Sequence, residues 1–160
     1  DSITLDVGTT TLEVAKNLHS KHDLTIITTS LQIAYELVSH QGIRLIVSGG
    51  VLRPGELSMV GHLAERIFEE FYVDKLFLGA GAIDLKNGAS EFNIEDALVK
   101  RAMVRTAKQV ILVADSTKFN QVAFTSIIET KSIHTIITDN ELDPDIVSQL
   151  EAKGIEVFLT

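Results

Sequence analysis

Short apolar runs alternate with helical patterns from one end of this chain to the other. That alternation limits the fold more than any other feature. The predicted strands are Ile3–Asp6, Leu24–Thr28, Arg44–Val47, Lys75–Leu78, Val110–Ala114, Thr135–Thr138 and Glu156–Leu159. Several are almost continuously apolar, as in "VILVAD", Val110 to Asp115. Strands covered on both faces read this way. The predicted helices are Thr10–Leu18, Leu31–Ser39, Leu63–Phe71, Asn93–Thr106 and Asp145–Lys153. Ser30 stands as an N-cap before the second helix. Asp143-Pro144 opens the last one, and Gly154 ends it. Strand–helix alternation of this kind gives an α/β fold, a mainly parallel sheet flanked by helices. With 160 residues and no linker-like tract, one domain is expected.

Bulk properties remove several functions. Apolar residues make up 45% of the chain, enough for one sizeable core. There is no cysteine, hence no disulfide framework and no thiolate metal site. This suits a reducing cytoplasm. No apolar run approaches the ~20 residues that span a bilayer, and no signal peptide is visible. The formal charge of −8 disfavours a grip on DNA or RNA by this piece itself. The chain opens at a strand without an initiator methionine, which reads as a fragment or processed form. The five histidines show no ligand spacing. No G-x-S-x-G elbow and no Walker lysine occurs. No metal or cofactor is expected.

In an open parallel sheet, ligands bind beyond the carboxyl ends of the strands. "LDVGTTT", Leu5 to Thr11, falls there. A helix N-terminus offers unpaired N–H groups and a positive dipole end. Gly8 permits close approach, and Thr9, Thr10 and Thr11 add hydroxyls, so the junction suits a phosphate. A plain turn with a threonine cap explains the same residues. "TTSLQIA" repeats the arrangement with Thr28, Thr29 and Ser30, where a Ser30 cap is the simpler account. "VSGGVLRPGELSMVG" holds Gly49, Gly50 and Arg53. It reads either as an anion grip or as a glycine turn between strands with a solvated arginine. "LGAGAID" places Gly79 and Gly81 after a strand, but the third glycine of a dinucleotide fingerprint falls on Asp84. The two glycines remain as bare backbone near a ligand. "DSTKF" offers Asp115 to a sugar hydroxyl and Lys118 to a phosphate, or is a loop with a solvated lysine. Glu91, Asn93, Glu95 and Asp96 surround the start of the long helix, where acidic groups complement the dipole. Lys100 follows Asp96 by four residues, the spacing of a surface pair.

Taken in order, these motifs resemble the C-terminal effector-sensing domain of DeoR-family bacterial transcriptional repressors. The resemblance covers nearly the whole chain and rests on "LDVGTTT", "TTSLQIA", "VSGG", "LGAGAIDLKNG", "NIEDALVKRAM", "ADSTKF" and "IITD". It implies kinship with ribose-5-phosphate isomerase, a phosphorylated sugar or related metabolite as effector, and a homo-oligomer. It also implies an N-terminal helix-turn-helix domain, absent here, through which alone DNA would be bound. The isomerase relatives carry the form Asp-Gly-Ala-Asp-Glu. Aligned on Gly79-Ala80, this chain has Leu78 and Gly81 at the two aspartates, and Lys86-Asn87-Gly88 only partly echoes their lysine stretch. Proton transfer between sugar carbons needs a positioned base. The expectation is therefore binding without turnover. The phosphate would lie on Gly8–Thr11 with Lys118 and Arg53, and Asp6, Asp115 or Glu91 would accept sugar hydroxyls. Two rival readings stand beside it. One is an aldose-ketose isomerase using Asp84, Glu91 or Asp115 as base. The other is an oligomerisation module with a vestigial site, built on the apolar arc of the long helix. Ser48–Gly61 is the stretch expected to move.

Overall fold

The apolar runs become strands where their side chains can be covered from both sides. The structure, a computed structural model, describes all residues 1–160. Its strands are β1 (Ser2–Leu5), β2 (Leu24–Thr28), β3 (Ile43–Val47), β4 (Val51–Arg53), β5 (Ser58–Val60), β6 (Val73–Leu78), β7 (Ala82–Asp84), β8 (Gly88–Glu91), β9 (Ala107–Val113), β10 (Thr125–Ile128), β11 (Thr135–Thr138) and β12 (Glu156–Leu159). Its helices are α1 (Thr9–Lys16), α2 (Leu31–Leu37), α3 (His62–Arg66), α4 (Ile94–Thr106) and α5 (Pro144–Ala152). Seven strands form one parallel sheet in the order β12-β11-β9-β6-β1-β2-β3.

The order explains where a ligand can go. From β1 the chain moves outward through α1, β2, α2 and β3. It then returns to the other side of β1 as β6 and moves outward the opposite way. The connections after β1 and β6 therefore diverge, and a crevice opens between them at the carboxyl ends of the strands.

The sheet separates two apolar layers. On one face Ile3, Leu5 and Ile26 pack with Ala15, Ile33 and Leu37 of α1 and α2. On the other, Ile27, Leu76, Leu78 and Leu112 pack with Ala97, Ala102 and Met103 of α4 and with Ile146 and Leu150 of α5. Ile26 and Ile27 point to opposite faces, as the period of two requires. Each fully buried large side chain contributes roughly 1.5–3 kcal/mol of transfer free energy.

Three helices begin with a side-chain cap, Ser30 and Asp143 as expected and Asn93 in addition. Ser30 accepts from the Ile33 N–H at 3.3 Å, Asn93 from the Asp96 N–H at 2.9 Å, and Asp143 from the Asp145 N–H at 2.9 Å. Gly154, with φ +82°, follows α5 as anticipated. Asp143→Ala should lower stability by about 1 kcal/mol. A urea-unfolding midpoint unchanged by that substitution would contradict the role of the cap.

Two small antiparallel units lie outside the seven predicted strands, the first of them at the glycine turn read in Val47–Gly61. The β4–β5 hairpin and the β10-β8-β7 sheet flank the carboxyl edge of the main sheet. Their strands have only three or four residues, and β8 reads Gly-Ala-Ser-Glu, without the β-branched or aromatic enrichment of a strand. The helix predicted for Leu63–Phe71 is also shorter: α3 ends at Arg66 and a 3-10 turn covers Ile67–Glu69. No helix is long and apolar enough to cross a membrane.

Candidate functional site

A cleft of about 400 Å³ occupies the crevice at the β1–β6 switch. Val7–Thr11 enter it after β1, Gly79–Gly81 after β6, and Ala114, Asp115 and Lys118 after β9. The small units close it: Arg53 and Glu56 come from the β4–β5 hairpin, Glu91 and Phe92 from the end of β8, and Asn93, Asp96 and Lys100 from α4 and its cap.

The floor includes the N-terminus of α1. Its cap residue is Gly8, at φ 144° and ψ 162°, and no side chain caps the helix. The Leu12 N–H donates to the Gly8 carbonyl at 3.0 Å. The N–H groups of Thr9, Thr10 and Thr11 precede that first helical bond, as at any uncapped N-terminus. The three threonines differ. Thr11 is buried and its hydroxyl donates to the Gly8 carbonyl at 2.9 Å, so it braces the turn. Thr9 and Thr10 are exposed to the cleft.

A buried ion cluster forms part of the cleft floor. The Lys100 Nζ reaches Asp6 Oδ2 at 2.9 Å and Glu91 Oε2 at 3.0 Å, and it donates to the Gly79 carbonyl at 3.0 Å. Side-chain exposures are 5% for Lys100, 1% for Asp6 and 15% for Glu91. Burial works against the charged lysine, but the Asp6 and Glu91 carboxylates outweigh it and hold Lys100 above the usual lysine range. Burial pushes the Asp6 carboxyl up, against the pull of Lys100 and of the Gly79 and Val7 N–H groups. Asp6 therefore does not face a ligand. It accepts from the Gly79 N–H at 3.0 Å and is the counter-ion that seats Lys100.

The helix-pair reading of Asp96 and Lys100 is overturned. Asp96 turns to the hairpin instead, accepting from Arg53 Nη1 at 2.6 Å and from the Ser58 hydroxyl at 3.0 Å. Both partners lie about forty positions away in sequence, and β5 packs on α4. Burial of Asp96 and Lys100 on the sheet-facing arc of α4 gives each a nonlocal partner. A desolvated charge needs one close by.

Of the other expected site residues, Gly8, Thr9, Thr10, Thr11, Arg53, Gly79, Gly81, Glu91, Asp115 and Lys118 all line the cleft. Lys118 has no carboxylate within ion-pair distance, unlike Arg53 and Lys100. Asp115 caps a 3-10 turn by accepting from the Thr117 N–H at 3.0 Å and from the Thr117 hydroxyl. A Cβ at Gly81 would meet Glu91 Oε1 at 2.7 Å and the Phe92 ring at 2.9 Å, so only glycine leaves that wall in place.

Thr28, Thr29, Ser30, Gly49 and Gly50 do not line the cleft. The Thr28 hydroxyl donates to the Leu5 carbonyl at 2.8 Å and accepts from the Ser30 N–H at 3.1 Å. The Thr29 carbonyl accepts from the Met59 N–H at 2.8 Å, and Ser30 caps α2. This segment is the seat of β5. Gly50, at φ +130°, lies where a Cβ would stand 2.7 Å from the Val60 carbonyl, so it closes the hairpin base. Gly49 sits beside it with open space around it. Asp84 also lies outside the cleft. Hydrogen bonds from the N–H groups of Asn87 and Lys86 and from the Asn87 amide hold its carboxyl below the usual range, which makes it a poor base.

Sequence reasoning missed Lys100, Asp96, Asn93, Phe92 and Glu56 as cleft residues. One signal was present for Lys100. It shares a helix face with Ala97 and Met103, three positions on either side, and a lysine on an apolar arc calls for a buried partner.

The model of the DeoR C-terminal sensor domain matches residues 1–140. A putative aga operon transcriptional repressor of Escherichia coli O157:H7 is 37% identical over 98% of this chain and 58% of its own length. An uncharacterized HTH-type transcriptional regulator, YulB, of Bacillus subtilis (strain 168) is 40% identical over 98% of this chain and 60% of its own. The chain thus spans about three-fifths of such relatives, which are named as transcriptional regulators. Among solved structures, a D-ribose-5-phosphate isomerase in complex with phospho-erythronic acid matches with a TM-score of 0.52 and 18% identity, over 74% of this chain and 45% of that one. RipA from Yersinia pestis matches with a TM-score of 0.54 and 15% identity, over 95% and 47%. These two likenesses concern the fold alone. With the sensor model covering residues 1–140 and motifs, sheet and cleft in the expected order, the chain belongs to the family of DeoR C-terminal sensor domains.

Proposed function

We propose that this chain is the effector-sensing part of a repressor of carbohydrate metabolism, and that the effector is a phosphorylated sugar. The observation that carries the reading is the uncapped N-terminus of α1. It opens into a cleft that Lys118 enters without a carboxylate partner. The phosphoryl group lies on the N–H groups of Thr9–Thr11 and the hydroxyls of Thr9 and Thr10, with Lys118 as its cation. Glu91 and Asp115 accept hydrogen bonds from sugar hydroxyls. Leu78, fully buried in the sheet, and Gly81, without a side chain, hold the two positions that align with aspartates of the isomerase motif, and neither can transfer a proton. Sugar binding without isomerisation follows. DNA is read by an N-terminal helix-turn-helix domain of the longer protein, as the HTH-type names of several relatives suggest. The protein works as a homo-oligomer, to which exposed Phe92, Ile94, Leu98 and Phe124 offer apolar surface. Equilibrium sedimentation measures this directly.

Binding alters repression only if the DNA-competent and incompetent states differ in effector affinity, by typically ~1–3 kcal/mol. The β4–β5 hairpin is the element that responds. Arg53 and Ser58 fasten it to α4 through Asp96, at the edge of the cleft where the effector enters.

Calorimetric titration against pentose and hexose monophosphates tests the reading. Micromolar to millimolar binding of a phosphorylated sugar, with none of its unphosphorylated parent, is the expected result. Silence across the panel at millimolar concentrations would rule it out. Lys118→Met should weaken that binding about tenfold or more, since a hydrogen bond to a charged group contributes about 1.5–3 kcal/mol. Its unfolding midpoint should stay close to that of the parent protein.

A further inference from the structure

We infer that the cleft accepts a sugar with one phosphate and an otherwise uncharged, hydroxyl-rich body, and rejects the same sugar bearing a second phosphate or a carboxylate. This rests on the phosphosugar reading above and narrows it. The argument comes from which charges in the cleft are already neutralised.

Three cations line the cleft, and two are committed to the protein. Lys100 has three N–H protons, and Asp6, Glu91 and the Gly79 carbonyl take all of them, at 2.9, 3.0 and 3.0 Å. Nothing on that ammonium is left for a ligand. Arg53 is neutralised by Asp96 at 2.6 Å. Only Lys118 retains an uncompensated positive charge. It follows β9, two strand spacings from β1, a distance of about 10 Å. A lysine side chain can span much of that gap toward the start of α1. One anion can therefore be served by both.

The rest of the wall is acidic. Glu56, Glu91, Asp96 and Asp115 line the cleft, and Asp6 lies just below it. With three cations against five carboxylates, the region carries a formal charge of −2 before a ligand enters. Carboxylates accept hydrogen bonds and donate none. They suit sugar hydroxyls, and they repel a second anion wherever it sits beyond the start of α1. Glu56, on the exposed tip of the hairpin, has no protein partner to neutralise it. At an effective dielectric of about 20, one like charge several ångströms away is enough for a loss of tenfold or more.

Calorimetry on this chain decides the matter. Each monophosphate of the panel is compared with the matching bisphosphate and with the matching phospho-aldonic acid. The monophosphate should bind at least about tenfold tighter than either. Glu56→Lys should shrink the gap for the bisphosphate severalfold, and it lies at an exposed tip where folding is undisturbed. Equal or tighter binding of the bisphosphate or the phospho-acid would overturn the inference while leaving the phosphosugar reading intact. A gap untouched by Glu56→Lys would overturn the assignment of the discrimination to the acidic wall. If no phosphorylated sugar of any kind binds, the functional reading itself fails, and this inference with it.

Discussion

Lys100→Met should destabilise the fold by about 3–5 kcal/mol at neutral pH, the usual consequence of removing one partner from a buried ion pair. Methionine fills most of the volume, so the loss is electrostatic. Asp6, 1% exposed, would keep the Gly79 N–H at 3.0 Å but lose its only cation. Glu91, at 15% exposure, can turn toward water; Asp6 cannot. Burial already pushes the Asp6 carboxyl up with Lys100 in place, and without the lysine it rises further. The pH dependence follows from that direction. In the variant the folded-state pKa of Asp6 lies above the unfolded value of about 3.9. The penalty is therefore absent below the unfolded value and grows as pH rises through the folded one. The deficit against the parent protein should shrink steadily from about pH 7 toward pH 4. Asp6→Asn added to Lys100→Met should recover much of it, because no charge is then left buried. Urea titrations across this range measure both. A loss under 1 kcal/mol, or a deficit flat with pH, would mean the cluster does not hold the cleft floor as described.

Gly88→Ala should be the most damaging glycine substitution in the chain, at about 2–5 kcal/mol. Gly88 starts β8 with φ +80°, a left-handed conformation that costs an alanine about 1–2 kcal/mol. Its Cβ would also lie 2.0 Å from the Ile128 carbonyl oxygen and 2.8 Å from the Thr130 nitrogen. Both are main-chain atoms, so no side chain can swing aside, and overpacking of this kind adds roughly 1–3 kcal/mol. Gly154→Ala separates the two causes. Gly154 has φ +82° but open space where a Cβ would go, so only the conformational cost of about 1–2 kcal/mol applies there. Equal losses at the two positions would show that crowding contributes nothing. Because β8 delivers Glu91 to the cleft, Gly88→Ala should weaken effector binding as well, whereas Gly154→Ala, beyond α5, should not.

Much of the cleft lining is legible in the sequence. Asp6–Thr11, Gly79–Gly81 and Asp115–Lys118 were singled out because each follows an apolar run, and a parallel sheet gathers such segments along one edge. The hydroxyl cluster Thr28–Ser30 satisfies the same rule yet stays out of the cleft. It follows β2, on the far side of β1 from the β1–β6 switch, and its groups are used to seat β5. Position after a strand is a sound guide to the cleft, but β2 and β9 flank the β1–β6 switch symmetrically, so what separates Thr28–Ser30 from Asp115–Lys118 is the use of the former to seat β5 and cap α2.

Local pattern alone determined the seven parallel strands, the helix starts at Ser30 and Asp143 and the glycine–threonine turn at β1, because periodicity and capping act over a few residues. Charge pairing was decided elsewhere. Asp96 and Lys100 stand one helical turn apart and were free to pair with each other, but packing α4 against the sheet buried both. A buried charge takes the partner that the fold brings within about 3 Å. For Lys100 that partner was Asp6, ninety-four positions back along the chain, and for Asp96 it was Arg53 on a hairpin. Such choices depend on how distant segments meet, which no window of sequence contains.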